Sequence, residues 1–288
     1  MSRPNRLIDI LAGVRGLASR HPVWFCDIWG VLHNGVVAFA PAVDALTQFR
    51  AQGGRVVLLT NAPRPSADVA RQISQLSIGP AAYDAIVTSG DVTRALIAEQ
   101  AGQGLLHIGA DKDRSLFAGL DARLVPEADA AVVVCTGLVD DTHETPAAYA
   151  QQLSRLHARG LPMICANPDL IIERGNEICY CAGALGQAYQ ALGATVAYAG
   201  KPHAPIYHEA LSRANAICGR TVSRSEVLAI GDGMDTDILG AHQFGIDMLY
   251  VASGVHLGAG ETLHAASLEN LFAGRPEHPV AAVAELAW

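Results

Sequence analysis

The sequence lacks two features that would each indicate a class of partner. Charged residues make up only 17% of the chain, and the formal net charge of −8 is spread along it, so no basic stripe is present to bind nucleic acid. No apolar run approaches the roughly 20 residues that a membrane-spanning helix needs. We therefore expect neither a nucleic-acid nor a membrane partner, and a soluble, cytoplasmic protein.

The six cysteines lack the spacing of a metal or redox motif. No Cys-x-x-Cys occurs, and Cys179 and Cys181 together with Cys165 match no zinc pattern. Cysteines in or at the ends of strand-like apolar segments are typical of reduced structural thiols. Neither a glycine-rich dinucleotide fingerprint nor a Walker sequence is present, so no nucleotide cofactor is implied.

The first 20 residues, MSRPNRLIDILAGVRGLASR, combine arginines with a short apolar part that Asp9 interrupts. No small-residue cleavage site follows this part. We therefore expect an amphipathic helix here and not a signal peptide.

Short apolar segments rich in β-branched residues recur along the chain, each ending at or near glycine, asparagine or aspartate. They are VWFCDIWG, GRVVLLTNA, YDAIVTSGD, GLLHIGAD, DAAVVVCTG, LPMICANPD, ATVAYAGKP, EVLAIGDG and DMLYVASG. Helical stretches rich in alanine and leucine separate most of them, such as 43–52, 67–76, 146–158 and 184–192. This alternation predicts an α/β protein whose parallel sheets are covered by helices.

Ligands of such sheets collect at the carboxyl ends of the strands, so the polar residues there are candidates for a site. These residues are Asp27, Thr60, Asn61, Lys201 and Asp232, with Asp111, Thr136 and Asn167 in the middle third of the chain. The first five are expected to converge on one crevice.

Four segments resemble, in order, the motifs of the haloacid dehalogenase (HAD) superfamily, in particular its class IIA, the NagD-like and pyridoxal phosphate phosphatase-like hydrolases. They are DIWGVL from Asp27, LLTNA from Leu58, GKP from Gly200 and GDGMDTDI from Gly231. The resemblance implies a Rossmann-like, doubly wound parallel sheet, the HAD fold, over 1–103 and 196–288. It also implies an inserted α/β cap of C2 type over 104–195, which selects the substrate and mediates a homodimer.

Phosphoryl transfer needs a nucleophile, a cation that offsets the repulsion between two anions, and donors for the phosphate oxygens. Asp27 is the expected nucleophile, and Asp27 and Asp232 are the expected Mg²⁺ ligands. The Thr60 hydroxyl and the Asn61 backbone N–H are expected to contact the phosphoryl group. Lys201, one of only two lysines in the chain, is expected to pair with Asp27 and the phosphate.

The resemblance adds further positions around the metal. In the related enzymes a backbone carbonyl two residues after the nucleophile binds the ion, and Trp29 can supply that carbonyl. Asp237 is expected behind the direct ligands with Thr236 beside it, whereas Asp235 is expected to face solvent.

Trp29 also stands where phosphatases of this superfamily usually carry a second aspartate, which protonates the leaving oxygen. An indole N–H has no useful acidity, and general acid–base help is commonly worth roughly 10² to 10⁴ in rate. Turnover is therefore expected to be slow or restricted to substrates with good leaving groups, unless His33 carries the proton instead.

We thus predict an Mg²⁺-dependent phosphatase that acts on a small phosphorylated metabolite through an aspartyl phosphate, with Asp27, Lys201 and His33 as catalytic candidates. The alternative is a protein that binds a phosphometabolite without hydrolysing it, as a sensor. A dehalogenase is disfavoured, because dehalogenases of this superfamily work without Mg²⁺ and lack the acidic segment that contains Asp232 and Asp237.

Overall fold

The computed structural model describes residues 8–174, 177–252 and 263–288. Within these ranges the strands are β1 Val23–Asp27, β2 Arg55–Thr60, β3 Ala85–Thr88, β4 Gly104–Ile108, β5 Arg123–Leu124, β6 Val132–Cys135, β7 Met163–Cys165, β8 Ile171–Arg174, β9 Glu177–Tyr180, β10 Val196–Tyr198, β11 Val227–Gly231, β12 Asp247–Val251 and β13 Ala281–Val283. The α-helices are α1 Ala40–Ala51, α2 Ser66–Gln75, α3 Ser89–Ala98, α4 Ala150–Ala158, α5 Ala182–Ala191, α6 Ala204–Cys218, α7 Leu239–Phe244 and α8 Ala265–Leu271.

A six-stranded sheet has the order β13-β12-β11-β1-β2-β3. Strand β1 lies between β2 and β11 and pairs in parallel with both. All five of its residues are buried and the first four are apolar, as is typical of a parallel strand covered on both faces. Cys26 lies opposite Ile230, and Asp27 lies opposite Leu59, so β1 delivers its carboxylate to the edge where β11 also ends.

A five-stranded parallel sheet has the order β10-β7-β6-β4-β5. Its apolar side chains pack in two clusters, one of which includes Leu153 of α4 and Leu185 of α5. Strands β8 and β9 form a separate antiparallel hairpin.

The chain divides into two compact units. The first comprises Met1–Leu59, Ala70–Ile86 and Tyr207–Trp288, and the second comprises Thr60–Val69 and Val87–Ile206. The limits of core and cap expected from the sequence, at 103/104 and 195/196, remain a prediction. No helix among the described residues is long and apolar enough to cross a membrane.

All nine predicted apolar segments form strands, and each predicted helical stretch contains a helix. The predicted amphipathic helix at the N-terminus is wrong for residues 8–20, which contain only a 3-10 turn at Arg15–Leu17; residues 1–7 lie outside the described ranges. Instead, Ile10 bridges to Ala282 beside β13. At Gly13 a methyl group would lie 2.7 Å from the Trp288 carbonyl oxygen, so this segment follows the C-terminal strand closely.

Candidate active site

Asp27 is carried to its position by a strand and a glycine turn. Gly30 has φ +85°, a conformation that side chains rarely tolerate. A methyl group at Gly30 would also overlap the carboxylate of Asp232. The turn after β1 therefore needs glycine at position 30 for two reasons, the backbone conformation and the close approach of Asp232.

Three buried acids meet beside this turn. Asp27, Asp232 and Asp237 are 7%, 7% and 5% exposed, and one carboxylate oxygen from each lies within 4.8 Å of the others. Carboxylates this close repel each other strongly unless a cation offsets their charge. Because Mg²⁺ prefers oxygen ligands and uses few carboxylates, this donor set fits the ion predicted from the sequence.

The loop after β11 orients Asp237. Asp237 Oδ2 accepts hydrogen bonds from the Gly233 N–H at 3.2 Å and from the Thr236 hydroxyl at 3.3 Å. These bonds fix the carboxylate beside the other two acids. The Asp235 side chain is 79% exposed and pairs with Arg275 at 2.7 Å, away from the acids.

Trp29 and His33 belong to the loop that follows Asp27. Trp29 is 40% exposed, and its indole nitrogen lies close to Gly35. His33 is 3% exposed, and its Nδ1 accepts the Gly35 N–H at 2.9 Å. Burial lowers the pKa of His33. The ring is therefore neutral near neutral pH, with its proton on Nε2 and its Nδ1 lone pair used by the Gly35 N–H.

The second unit holds Thr60, Asn61 and Lys201. Thr60 ends β2, and its Oγ1 accepts the Ala62 N–H at 3.2 Å, which leaves the hydroxyl proton for another acceptor. Lys201 is 3% exposed. The Asn61 side chain bonds the backbone of Lys201 and the carboxylate of Asp169. The sequence prediction concerned the backbone N–H of Asn61 and missed this use of its side chain.

Asp169 is a second residue whose hydrogen bonding the sequence did not predict. Its own N–H donates to Asn167 Oδ1 at 3.0 Å, which closes a turn within the ANPD segment, residues 166–169. Its carboxylate accepts from Asn61 at 2.8 Å, across 108 residues of sequence. No local pattern predicts a contact over that separation.

The polar residues of the middle third form a different cluster. The Asp111 side chain is 90% exposed. Thr136 donates to Asp113 Oδ2 at 3.0 Å and accepts from His107 Nε2 at 2.9 Å. Burial raises the pKa of Asp113 and lowers that of His107. Thr136 and Asn167 thus hydrogen-bond within their own unit.

Two parts of the chain match family descriptions. Residues 24–123 match the haloacid dehalogenase-like hydrolases, and residues 198–286 match a HAD-hydrolase-like family. The structure of a haloacid dehalogenase-like hydrolase from Brucella suis is 50% identical in sequence to this chain, with a TM-score of 0.81. The match covers 85% of this chain and 94% of that one. The chain belongs to the haloacid dehalogenase-like hydrolase family. The predicted α/β HAD fold and the predicted NagD-like class are thereby confirmed.

Two named relatives of this hydrolase are enzymes. D-glycerol 3-phosphate phosphatase of Mycobacterium tuberculosis is 28% identical over 84% of this chain, which spans 66% of that protein's length. Ribonucleotide monophosphatase NagD of Escherichia coli is 27% identical over 80% of this chain and 87% of its own. A glycerol phosphate phosphatase from M. tuberculosis, solved in complex with magnesium, has a TM-score of 0.69 at 25% identity, covering 92% of this chain and 75% of its own.

Proposed function

We propose that this hydrolase is an Mg²⁺-dependent phosphatase of a small phosphorylated metabolite. The observation that carries the proposal is the group of three buried carboxylates, one of which ends the central strand β1. Two relatives named as phosphatases of small phosphorylated compounds support it. A relative solved with magnesium supports the choice of ion.

The metal would be held by the carboxylates of Asp27 and Asp232 and by the backbone carbonyl of Trp29, with Asp237 behind them. When bound, Mg²⁺ supplies positive charge that offsets the repulsion between Asp27 and the phosphoryl group.

In the proposed reaction, residues of this chain form and break the bonds to phosphorus and bind the phosphoryl group. A carboxylate oxygen of Asp27 attacks phosphorus, the bond to the leaving oxygen breaks, and its electron pair departs with that oxygen. Thr60 and the Asn61 N–H hold the phosphoryl oxygens, and the Lys201 ammonium group offsets their charge. Water then attacks phosphorus, which releases phosphate and restores the Asp27 carboxylate.

Trp29 restricts the substrate of this reaction. Without an acid at position 29, the leaving oxygen departs unprotonated, so acyl, enol or aryl phosphates are favoured over simple alkyl phosphates. His33 is the candidate that would take a proton from the attacking water, which requires its Nδ1 to release the Gly35 N–H and accept from that water instead.

The test is phosphate release from a panel of phosphate esters in the presence of Mg²⁺, with Asp27→Asn as control. Release by the unmodified protein alone supports the proposal. Equal release from both proteins would show that the chemistry is not at Asp27. Tight binding of an ester without release, measured by calorimetry, would favour the alternative function of a phosphometabolite sensor.

The proposal extends to location and assembly. We place the phosphatase in the cytoplasm, with residues 104–195 as its cap and with the cap as the contact of a homodimer. The exposed apolar side chains around the β8–β9 hairpin support such a contact; they include Leu170, Ile172 and Ile178, at 45%, 38% and 64% exposed.

A further inference from the structure

The side chain of Asn61 holds both polar groups of the Lys201 backbone. Asn61 Oδ1 accepts the Lys201 N–H at 2.7 Å, and Asn61 Nδ2 donates to the Lys201 carbonyl at 3.0 Å. Two bonds from one rigid amide fix orientation as well as distance. Asn61 is 6% exposed, so water does not compete freely for these bonds.

Asp169 completes the hydrogen bonding of this amide. The second donor of Asn61 Nδ2 goes to Asp169 Oδ1 at 2.8 Å. An ionised carboxylate accepts and cannot donate, so Asp169 keeps the nitrogen of Asn61 on its own side. Asn61 Oδ1 must then face the Lys201 N–H. Asp169 therefore fixes which way the amide points.

The backbone before Lys201 has no room to move away from this amide. A methyl group at Gly200 would overlap Asn61 Oδ1 and would lie 2.7 Å from Pro168 Cδ and 2.9 Å from Ser89 Oγ. Pro168 precedes Asp169 in the chain, so the ANPD segment packs against the Gly200–Lys201 peptide, whose N–H Asn61 binds. Three segments distant in sequence thus enclose one peptide.

A ring stack flanks the same peptide. Tyr198 and His203, three residues before and two residues after Lys201, stack with ring centroids 4.6 Å apart and planes at 7°. The segment is therefore braced on both sides of the lysine.

We propose that Asn61 and Asp169 are positioning residues that fix the backbone of Lys201 and so aim its ammonium group. The role of Lys201 itself rests on the proposed function. Asp169 lies inside the predicted cap, 104–195, whereas Asn61 and Lys201 belong to core motifs. The contact therefore makes the position of the lysine depend on the seating of the ANPD segment.

The scarcity of lysine permits a direct test that needs no activity. Full-length protein labelled with ¹⁵N-lysine gives two backbone amide signals, from Lys112 and Lys201, and Lys112→Arg assigns them. The Lys201 amide should exchange slowly with solvent. Asn61→Ala and Asp169→Ala should each speed its exchange, by about 5- to 10-fold for the loss of one such hydrogen bond.

Asp169→Asn is the matched control, because it keeps an acceptor oxygen for Asn61 and should preserve most of the protection. An unchanged Lys112 signal shows that the variant has folded. Unchanged Lys201 exchange in Asp169→Ala would overturn the role of Asp169, and unchanged exchange in Asn61→Ala would overturn the whole proposal.

Kinetics then test what the positioning achieves. Asp169→Ala should lower kcat/KM by a similar factor for all substrates, and should add little to the loss caused by Lys201→Ala. Additive losses, or a loss confined to one substrate, would assign Asp169 to substrate contact instead. If the unmodified protein hydrolyses no ester, the proposed function fails while the exchange result stands on its own.

Discussion

In the proposed function, Trp29 stands where an aspartate would protonate the leaving oxygen. The residue is 40% exposed, and its indole nitrogen lies close to Gly35 in the loop that also contains the buried His33. Neither Trp29 nor His33 supplies an acid, because the indole N–H is not acidic and burial lowers the pKa of His33. In the proposed reaction, protonation of the leaving oxygen is therefore the step that an aspartate at position 29 would assist and this loop would not.

We predict that hydrolysis of aryl phosphates slows steeply as the pKa of the departing phenol rises, because its oxygen leaves unprotonated. Trp29→Asp should flatten this dependence and raise the rate on alkyl phosphates by about 100-fold, the lower end of the usual range of general acid catalysis. Rates over a series of substituted phenyl phosphates measure both effects. The double variant with Asp27→Asn should be inactive, and a Trp29→Asp rate equal to the starting rate would contradict the prediction.

The buried carboxyl group of Asp113 should make the free energy of unfolding depend on pH. Burial raises its pKa, so the folded protein binds this proton more tightly than the unfolded chain does. The resulting contribution is present below the ordinary pKa of about 3.8 and is lost as pH rises through the raised value, so ionised Asp113 destabilises the fold at neutral pH.

Asp113→Asn should therefore raise Tm at pH 7 by a few degrees, about 2–4 °C per kcal/mol for a chain of 150–250 residues. The gain should shrink as the pH falls from 7 to about 3.8, because the folded protein then binds the Asp113 proton. Thermal melts at both pH values measure it. Asp121→Asn, an exposed aspartate in the same unit, serves as the control and should change Tm at neither pH.

The turn between β1 and the Trp29 loop acts as a structural element in its own right. Gly30 has a positive φ and has the Asp232 carboxylate where a side chain would lie. Gly53, after α1, also has a positive φ, of +93°, but has no heavy atom within 4 Å of a methyl group placed there. The two glycines share a positive φ, and only Gly30 lies against Asp232, a proposed metal ligand.

Gly30→Ala and Gly53→Ala should both lower Tm, since alanine at positive φ costs about 1 kcal/mol or more. Mg²⁺ should still raise the Tm of Gly53→Ala, because a ligand that binds only the folded state stabilises it. The same addition should leave Gly30→Ala unchanged, since its methyl group displaces Asp232. Thermal melts with Mg²⁺ and with EDTA distinguish the two, and an equal response to Mg²⁺ would refute this account of the turn.

Secondary structure was predictable where burial leaves a pattern. Strands β1, β2, β6 and β11 are apolar for almost their whole length, because parallel strands buried on both faces need no polar side chains. Strand β5 has two exposed residues and the β8–β9 hairpin is partly exposed, so neither produces such a run. The N-terminal segment looked helical from its amphipathic residues, but its partner is the C-terminal strand 272 residues away, Ile10 with Ala282.

At the scale of the whole molecule, the sequence predicted where the acids lie but not the long-range hydrogen bonds that hold other site residues in place. Asp27 and Asp232 follow from the rule that ligands meet strand ends, and the register of β1 between β2 and β11 makes that rule effective. The bonds from Asn61 to Lys201 join residues 140 positions apart. Nothing in either segment alone indicates that one side chain holds the backbone of the other.

The proposed homodimer gives a prediction at the same scale. Ile178 is 64% exposed on the β8–β9 hairpin, so Ile178→Glu places a charge on the expected contact and should lower the mass measured by light scattering from dimer to monomer. Leu124→Glu, at a side chain 39% exposed on β5, should leave the mass unchanged. A monomeric starting protein would remove the homodimer from the proposal.

The two lysines differ sharply in accessibility: the side chain of Lys112 is 65% exposed, whereas Lys201 is 3% exposed. An amine-reactive dye added to the folded protein would therefore attach to one lysine side chain, at Lys112, besides the chain's terminal amine. Denaturant would open the second attachment point. The stoichiometry of labelling thus becomes a readout of unfolding around Lys201, obtained without any engineered residue.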